Sequence, residues 1–436
     1  MGTEIIIALL LVGLLFFLLI TGLEIGWAVG IVAVTGLLYY VDQPVGQLAE
    51  TTFGSLNSFT LTALPLFVFM GGILGNTGVN TSLFNAIEKW VGVLPGGLAC
   101  SVICGNAVFG AMCGSTIAAT ATFGKIAFPV MEEKNYSPKL ALGSIASGTV
   151  LAPLIPPSIL LILYGSWQGL SIVDLLAAGL LPGITLMILF IITIIVQVKL
   201  NPELAPETVN YSWRVRIRAI VDVLPFAGVI LGVLGAIFAG LMTPTEAAGL
   251  GAFLSMILTI AYRKLTLEII MVSLLDTVKV TSFSLFIMAM STLISHVFNS
   301  AGIIPMIQDF VIALPIGKYG ILILFFVMYF FMGMFFDSWS MLFLTFPFVM
   351  PVITGLDINP IWWGIVYVMA GEQSTITPPF GLSLFVLKGV VPWHSMGTIV
   401  KGALPFLIPI YINVLLLFLF PEIALWLPGL LKGGGG

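Results

Sequence analysis

Hydrophobic positions along this chain come in long, nearly unbroken runs rather than in the spaced stripes of a soluble amphipathic helix. Runs long enough to cross ~30 Å of hydrocarbon occupy 4–20, 24–41, 59–76, 175–198, 222–241, 245–262, 280–298 and 402–420. Two further regions, 95–170 and 317–390, are equally apolar but are interrupted by clusters of Gly, Pro, Ser and Thr. Stretches near 79–92, 264–279 and 303–314 alternate apolar and polar residues at helical spacing. They read as helices lying along the membrane interface, arms around a moving part. The pattern predicts an all-α polytopic membrane protein with about 11 transmembrane helices.

Composition agrees. Of 436 residues 59% are apolar and 8% charged, which a wetted soluble surface cannot accommodate. The net charge is −4, and the fifteen Lys and Arg are too scattered to track phosphates, which excludes nucleic acid as a partner. Cys100, Cys104 and Cys113 share one apolar stretch far from His296 and His394, so they read as buried small residues rather than metal ligands. No basic residue precedes the run Ile5 to Ile20 and no small-residue cleavage site ends it, so it reads as the first span. Gly433 to Gly436 read as an appended linker.

Arg214, Arg216 and Arg218, with Arg263 and Lys264 two spans later, mark the cytoplasmic side. From that anchor Lys89, Lys134, Lys139, Lys199, Lys279, Lys388 and Lys401 also fall inside, only Lys318 and Lys432 fall outside, and Lys125 lies within the first broken region. The count holds only if 95–131 enters and leaves on the cytoplasmic side and 317–352 on the opposite side. Both are therefore expected to be re-entrant hairpins. At a shift of 222 residues, Pro129, Pro138, Pro156 and Pro157 align with Pro351, Pro360, Pro378 and Pro379. Phe109, Met112 and Val130 likewise match Phe331, Met334 and Val352. Together with the charge placement this predicts an internal repeat inverted in the membrane, the construction of many secondary transporters, with solute and ion held near mid-membrane.

The breaks are where chemistry is available. The first tip reads Gly110-Ala111-Met112-Cys113-Gly114-Ser115-Thr116, and the segment after it breaks from Gly148-Thr149 through Pro153, Pro156, Pro157 and Ser158. Irregular backbone survives in lipid only where it is buried or lines a polar cavity. Proline frees carbonyls one turn back, leaving oxygens suited to a hard cation. The second half offers Asp337-Ser338-Trp339-Ser340 and a break at Gly371-Glu372-Gln373-Ser374-Thr375-Ile376-Thr377-Pro378-Pro379. Asp337 stands in an apolar run with no Lys or Arg nearby, and a lone charge at mid-bilayer costs at least ~2.5–3.5 kcal/mol. A bound sodium ion is its simplest partner, and capping of a half-helix is the alternative. For Glu372 a direct role and a solvent-reaching rim position both remain open, and the breaks themselves also read as simple kinks. Thr243-Pro244-Thr245-Glu246 reads as a helix N-cap, and Trp362, Trp363 and Trp393 as interfacial aromatics. There is no Gly-x-Ser-x-Gly elbow, and the two histidines fall on opposite faces, which argues against a hydrolase. Without a nucleotide-binding loop, energy must come from an ion gradient or from passive diffusion.

Leu64-Pro65-Leu66-Phe67, Gly72 through Gly78, Phe109-Gly110-Ala111 to Thr122, Pro153-Leu154-Ile155-Pro156-Pro157-Ser158, Thr243-Pro244-Thr245-Glu246-Ala247-Ala248 and Thr377-Pro378-Pro379-Phe380-Gly381 resemble the large membrane subunit of TRAP transporters. The resemblance runs from about residue 20 to 420. It implies sodium-driven uptake of a small organic anion of the carboxylate, sialic acid or sulfonate class. It also implies a small four-helix membrane subunit, a periplasmic solute-binding protein and an elevator mechanism in the bacterial inner membrane. On that plan 1–92 is scaffold helices with an interfacial arm, 172–316 scaffold helices with interfacial arms and 392–432 the terminal scaffold helix, and 93–171 and 317–391 are the two transport-domain repeats. Gly114, Ser115 and Thr116 with Thr149 would hold one sodium ion, and Asp337 and Ser338 with Thr375 and Thr377 a second. The solute would lie on Ser115, Ser158, Gln373 and Ser374. The tips depart from the Ser-Asn-Thr of related symporters, Gln373-Ser374-Thr375-Ile376 replaces the Ile-Gly-Leu of many relatives, and the expected transport domain has no Arg. A self-sufficient sodium- or proton-coupled symporter needing no binding protein is the alternative.

Overall fold

The computed structural model describes residues 2–40, 46–77, 79–208 and 210–433; the Gly434 to Gly436 tail of the suggested linker lies outside them. Every regular element among the described residues is helical. The order begins α1 (Gly2–Ile20), α2 (Ile25–Tyr39), α3 (Gly46–Leu56), α4 (Ala63–Asn76) and α5 (Val79–Val91). A hairpin follows, α6 (Gly97–Cys113) and α7 (Thr116–Glu133), then α8 (Pro138–Gly148), a break, and α9 (Ile159–Gln168). Next come α10 (Ile172–Leu200), α11 (Trp213–Phe238), α12 (Pro244–Ala261), α13 (Leu267–Ser300) and α14 (Ile303–Ile312). The second hairpin is α15 (Gly317–Met332) with α16 (Ser338–Gly355), followed by α17 (Pro360–Glu372), a second break and α18 (Leu382–Val390). The chain closes with α19 (Met396–Ala403), α20 (Leu407–Leu419) and α21 (Glu422–Gly433). By length and composition six of the described helical segments suffice to cross a membrane, and α11, bent by 53°, makes a seventh.

Two expectations are corrected: Trp362 and Trp363, read as interfacial aromatics, are buried among the helices at 5% and 1% exposure, and one helix is longer than expected. The amphipathic stretch 264–279 and the span 280–298 form a single 34-residue helix, α13. No Pro or Gly interrupts it, and several of its hydroxyls bond back to the helix's own carbonyls. The Thr277 and Ser284 hydroxyls donate to the Ser273 and Val280 carbonyls at 2.7 and 2.6 Å. At 1.5 Å per residue α13 is ~50 Å long, beyond the hydrocarbon thickness.

α13 packs along α2 and α4. Close approach needs small residues on α2 where stiff side chains face it: a Cβ on Gly26 or Gly36 would lie within 2.8 Å of the Phe286 ring or the Val297 methyl. The capping box at Thr243 and Glu246 opens α12 as expected, with both reciprocal hydrogen bonds present. The broken regions pack closely among themselves and against neighbouring helices. α8 and α19 meet backbone to backbone, with a Cβ on Gly143 falling 2.1 Å from the Gly402 carbonyl oxygen. The helix after each break packs on the hairpin of the other half. Trp167 of α9 stacks on Phe346 of α16 at 4.2 Å, while Gly124 of α7 faces Leu387 and Val390 of α18. At the opposite end from the arginine-bearing loop, Lys432 pairs with Asp174 at 2.8 Å, which ties α21 to the start of α10.

Candidate functional site

The two halves build matching pieces from matching sequence. At the first tip Gly114 takes φ +57 and its N–H closes on the Gly110 carbonyl at 2.7 Å. That left-handed turn ends α6, and Ser115 then caps α7, its Oγ accepting from the Ala118 N–H at 3.4 Å. At the second tip Asp337 caps α16, accepting from the Trp339 N–H at 3.1 Å and from the Ser340 hydroxyl. Each tip is seated on its own break. A Cβ on Gly110 would fall 2.5 Å from the Ala152 Cα, and one on Gly333 would fall 2.8 Å from the Ser374 Cβ. Both Pro156-Pro157 and Pro378-Pro379 are cis.

The junction between the halves is Glu372. It ends α17, is 2% exposed, and accepts two hydroxyl hydrogen bonds. Thr116 of the first tip donates to Oε2 at 2.7 Å, and Ser338 of the second tip donates to Oε1 at 2.7 Å. One carboxylate therefore spans both hairpin tips, 256 and 34 residues away in sequence. The rim alternative for Glu372 falls with its burial. Among the described residues neither Glu372 nor Asp337 forms an ion pair with Lys, Arg or His. A buried carboxylate without a cationic side chain is costly unless hydrogen bonds or a bound ion offset it. Tyr367 reinforces the junction from α17 by donating to the Ser338 carbonyl.

A second contact across the halves is made of hydroxyls alone. Thr120 of α7, Thr149 of the first break and Ser383 of α18 are buried, with Thr120 to Thr149 at 3.1 Å, Thr120 to Ser383 at 3.2 Å and Thr149 to Ser383 at 3.5 Å. These are hard oxygen donors of the type that suits an alkali or alkaline-earth cation. Among the described residues no three His, Cys, Asp or Glu side chains gather in the way a transition metal needs.

Thus Thr116, Ser338 and Glu372 come together at the tips, and Thr149 joins Thr120 and Ser383. Thr375 and Thr377 turn back on their own break, donating to the Glu372 and Gln373 carbonyls at 2.7 Å each. Ser158 is occupied as the cap of α9, accepting from the Leu161 N–H at 3.2 Å and donating to the Pro153 carbonyl. Gln373 and Ser374 are different. Both are buried, and among the described residues the Gln373 amide oxygen and nitrogen and the Ser374 hydroxyl have no hydrogen-bond partner. A buried polar group left unpaired costs about 1–3 kcal/mol, so such groups call for a partner. Ser374 and Asp337 line a cavity of about 420 Å³ walled by Phe335, Phe380 and Phe385. Sequence reasoning undervalued Glu372, although it is the only charged side chain between Asp357 and Lys388. It missed Thr120 and Ser383, whose meeting across 263 residues leaves no local signal.

Comparison with known proteins settles the family. The model of the tripartite ATP-independent periplasmic transporter, DctM component, matches residues 12–423. The chain belongs to this family. It is 28% identical to the sialic acid TRAP transporter large permease protein SiaM of Vibrio cholerae, over 96% of this chain and 97% of SiaM. It is 30% identical to the 2,3-diketo-L-gulonate TRAP transporter large permease protein YiaN of Escherichia coli, over 93% and 95%. With the C4-dicarboxylate large permease DctM of Pseudomonas aeruginosa it shares 31% identity, over 91% and 92%. The fold is that of solved transporters: MtrF of Neisseria gonorrhoeae superposes with TM-score 0.58 at 13% identity, covering 86% of this chain and 83% of MtrF. YdaH of Alcanivorax borkumensis gives 0.52 at 15%, covering 90% and 89%. A TRAP large permease is a multi-pass inner-membrane transport protein rather than an enzyme, and membership implies a small membrane subunit and a periplasmic binding protein as partners.

Proposed function

We propose that this large permease imports a small organic anion, delivered by a periplasmic binding protein, down a sodium gradient and by an elevator movement of the two broken halves. The observation that carries the reading is Glu372, whose single carboxylate ties the first tip through Thr116 and the second through Ser338. Tips joined at one buried point travel as one body, which an elevator requires and two independent gates do not. The 222-residue correspondence, with hairpins expected to enter from opposite faces, makes that body an inverted repeat, and such repeats hold their cargo where they meet.

The relatives named for sialic acid, C4-dicarboxylate, 2,3-diketo-L-gulonate and isethionate are all named for organic anions, which supports the same solute class here. Without Arg, recognition of the anion falls to the positive amino-terminal ends of α7 and α16 at the tips and to the unpaired Gln373 amide and Ser374 hydroxyl. The hydroxyls of Ser115, Thr116 and Thr149 with Gly114 form the oxygen set for one sodium ion. Asp337, Ser338, Thr375 and Thr377 form the set for the other. Sodium would supply the charge that offsets the buried Glu372 carboxylate and the half-buried Asp337, while the protein groups hold the tips in register.

Reconstitution tests the reading. Proteoliposomes containing this chain and its small subunit, supplied with the binding protein and radiolabelled solutes of the four classes, should accumulate at least one solute unchanged when sodium is high outside. Accumulation that ignores the sodium gradient, or that proceeds equally without any binding protein, would overturn it in favour of another ion or of a self-sufficient symporter.

A further inference from the structure

At the arginine-bearing end of the molecule, α5, α11 and α12 enclose a polar cavity that plays no part in the transport reading. The sequence of α5 places Ser82, Asn85 and Lys89 at i, i+3 and i+7, one stripe on its outer face. A cavity of about 280 Å³ opens beside that stripe and is closed by Phe226 of α11 and by Tyr262 and Lys264 just beyond α12. Phe226 is 4% exposed and its ring lies 5.1 Å from that of Tyr262, giving an apolar floor under polar walls. The turn out of α12 is tight. Arg263 adopts φ +54, its N–H meets the Ile260 carbonyl at 2.8 Å and the Lys264 N–H meets the Thr259 carbonyl at 3.0 Å. That reversal brings Lys264 to the mouth of the cavity opposite Lys89.

Among the described side chains the charges here are unbalanced. Glu88, the neighbouring carboxylate on α5, is taken by Lys134 at 2.9 Å and by the Tyr211 phenol at 3.0 Å. Among the described residues no carboxylate lies within ion-pair distance of Lys89 or Lys264. Two ammonium groups with a hydroxyl, an amide and a phenol around one small cavity match an anion carrying several oxygens, which is the chemistry of a phosphate. The level is that of lipid headgroups. Trp90, adjoining the stripe, donates to the Arg216 carbonyl at 3.0 Å and meets Trp213 edge-on at 6.0 Å, and aromatic side chains of this kind collect at the membrane interface. A dry groove of about 360 Å³ adjoins the polar cavity at Ala86 and is walled by Trp90, Ile220 and Leu224. A pair of lysines next to an apolar groove at this depth suits a phospholipid headgroup and its chain, and basic clusters on this face attract anionic lipids.

We propose that Lys89 and Lys264 bind the phosphate of an anionic glycerophospholipid. α5 leads directly into the first hairpin, whereas α11 and α12 lie outside both broken regions, so on the elevator reading the headgroup joins the interfacial arm before that hairpin to its surroundings.

The test uses the purified full chain, titrated with phosphatidylglycerol and, separately, phosphatidylcholine, with bound lipid counted by native mass spectrometry and stability read from the thermal midpoint. Phosphatidylglycerol should bind and raise the midpoint, and the Lys89→Gln/Lys264→Gln double variant should bind it roughly tenfold more weakly or worse. Equal binding of the two lipids, or unchanged phosphatidylglycerol binding by the double variant, overturns the proposal. Inorganic phosphate alone reproducing the stabilisation overturns the assignment to lipid. Should the double variant elute as aggregate, Lys264→Gln alone, an exposed position, must still weaken phosphatidylglycerol binding.

Discussion

Glu372 is the residue on which the two halves depend most, because both oxygens of one buried side chain are committed to different hairpins. Glu372→Ala leaves the Thr116 and Ser338 hydroxyls buried without an acceptor, at about 1–3 kcal/mol each. It should lower the thermal midpoint and abolish solute accumulation. Glu372→Gln keeps the volume and an acceptor oxygen, so it should fold with a midpoint near that of the parent while transport slows. Size-exclusion profiles, thermal unfolding and proteoliposome uptake measured together check both variants, and equal uptake by all three proteins would remove Glu372 from the machinery. Gln373 belongs to the same scale but to a different task. Its unpaired amide has no structural bond to lose, so Gln373→Ala should change the order of preference among carboxylate, sialic acid and sulfonate solutes more than the sodium activation curve. Uniform loss for every solute would mean a folding role instead. Both residues stood in the sequence as part of a polar break in an apolar run, and that much was legible. Which hydroxyls they meet was not, because Thr116 lies 256 residues from Glu372, and no local pattern encodes a contact at that range.

At the scale of elements, hydropathy and proline spacing located both hairpins and both breaks to within a few residues, since Gly, Pro and Ser act on the backbone locally. α13 was misdivided because several of its hydroxyls bond back to their own helix and so imitate an amphipathic arm. Two helix contacts differ in a way that predicts opposite tolerance to the same change. Where α8 meets α19, a methyl on Gly143 meets the Gly402 carbonyl oxygen at 2.1 Å, an unyielding backbone atom. On α2 a methyl on Gly30 meets the Met290 sulfur at 2.7 Å, the far part of a flexible side chain. Gly143→Ala should therefore cost at least about 1–3 kcal/mol, with reduced yield of folded protein. Gly30→Ala should leave midpoint and uptake within error of the parent. Thermal unfolding of the two variants side by side decides it, and similar behaviour would mean that the α8 to α19 contact can relax.

For the molecule as a whole, the proposed elevator makes a prediction about distances that mutational loss of function cannot supply. α7 and α18 come from different halves but pack together, with Gly124 against Leu387 and Val390, so labels on them should keep a fixed separation through the transport cycle. Lys125 and Gly389 are exposed on these two helices, and no side chain crowds Gly389. Arg218, exposed near the start of α11, lies on the outer helices. In a background with Cys100, Cys104 and Cys113 replaced, spin labels at Lys125→Cys and Gly389→Cys should report one narrow distance distribution with or without sodium and solute. Labels at Lys125→Cys and Arg218→Cys should report a distribution whose centre moves when sodium and solute are added. A moving Lys125 to Gly389 distance would mean that the halves separate and that Glu372 releases one tip during turnover. Two fixed distances would leave the hairpins as gates around a stationary site. Only the combination of a fixed first distance and a shifting second one is what a single rigid carrier body, clamped at Glu372, produces.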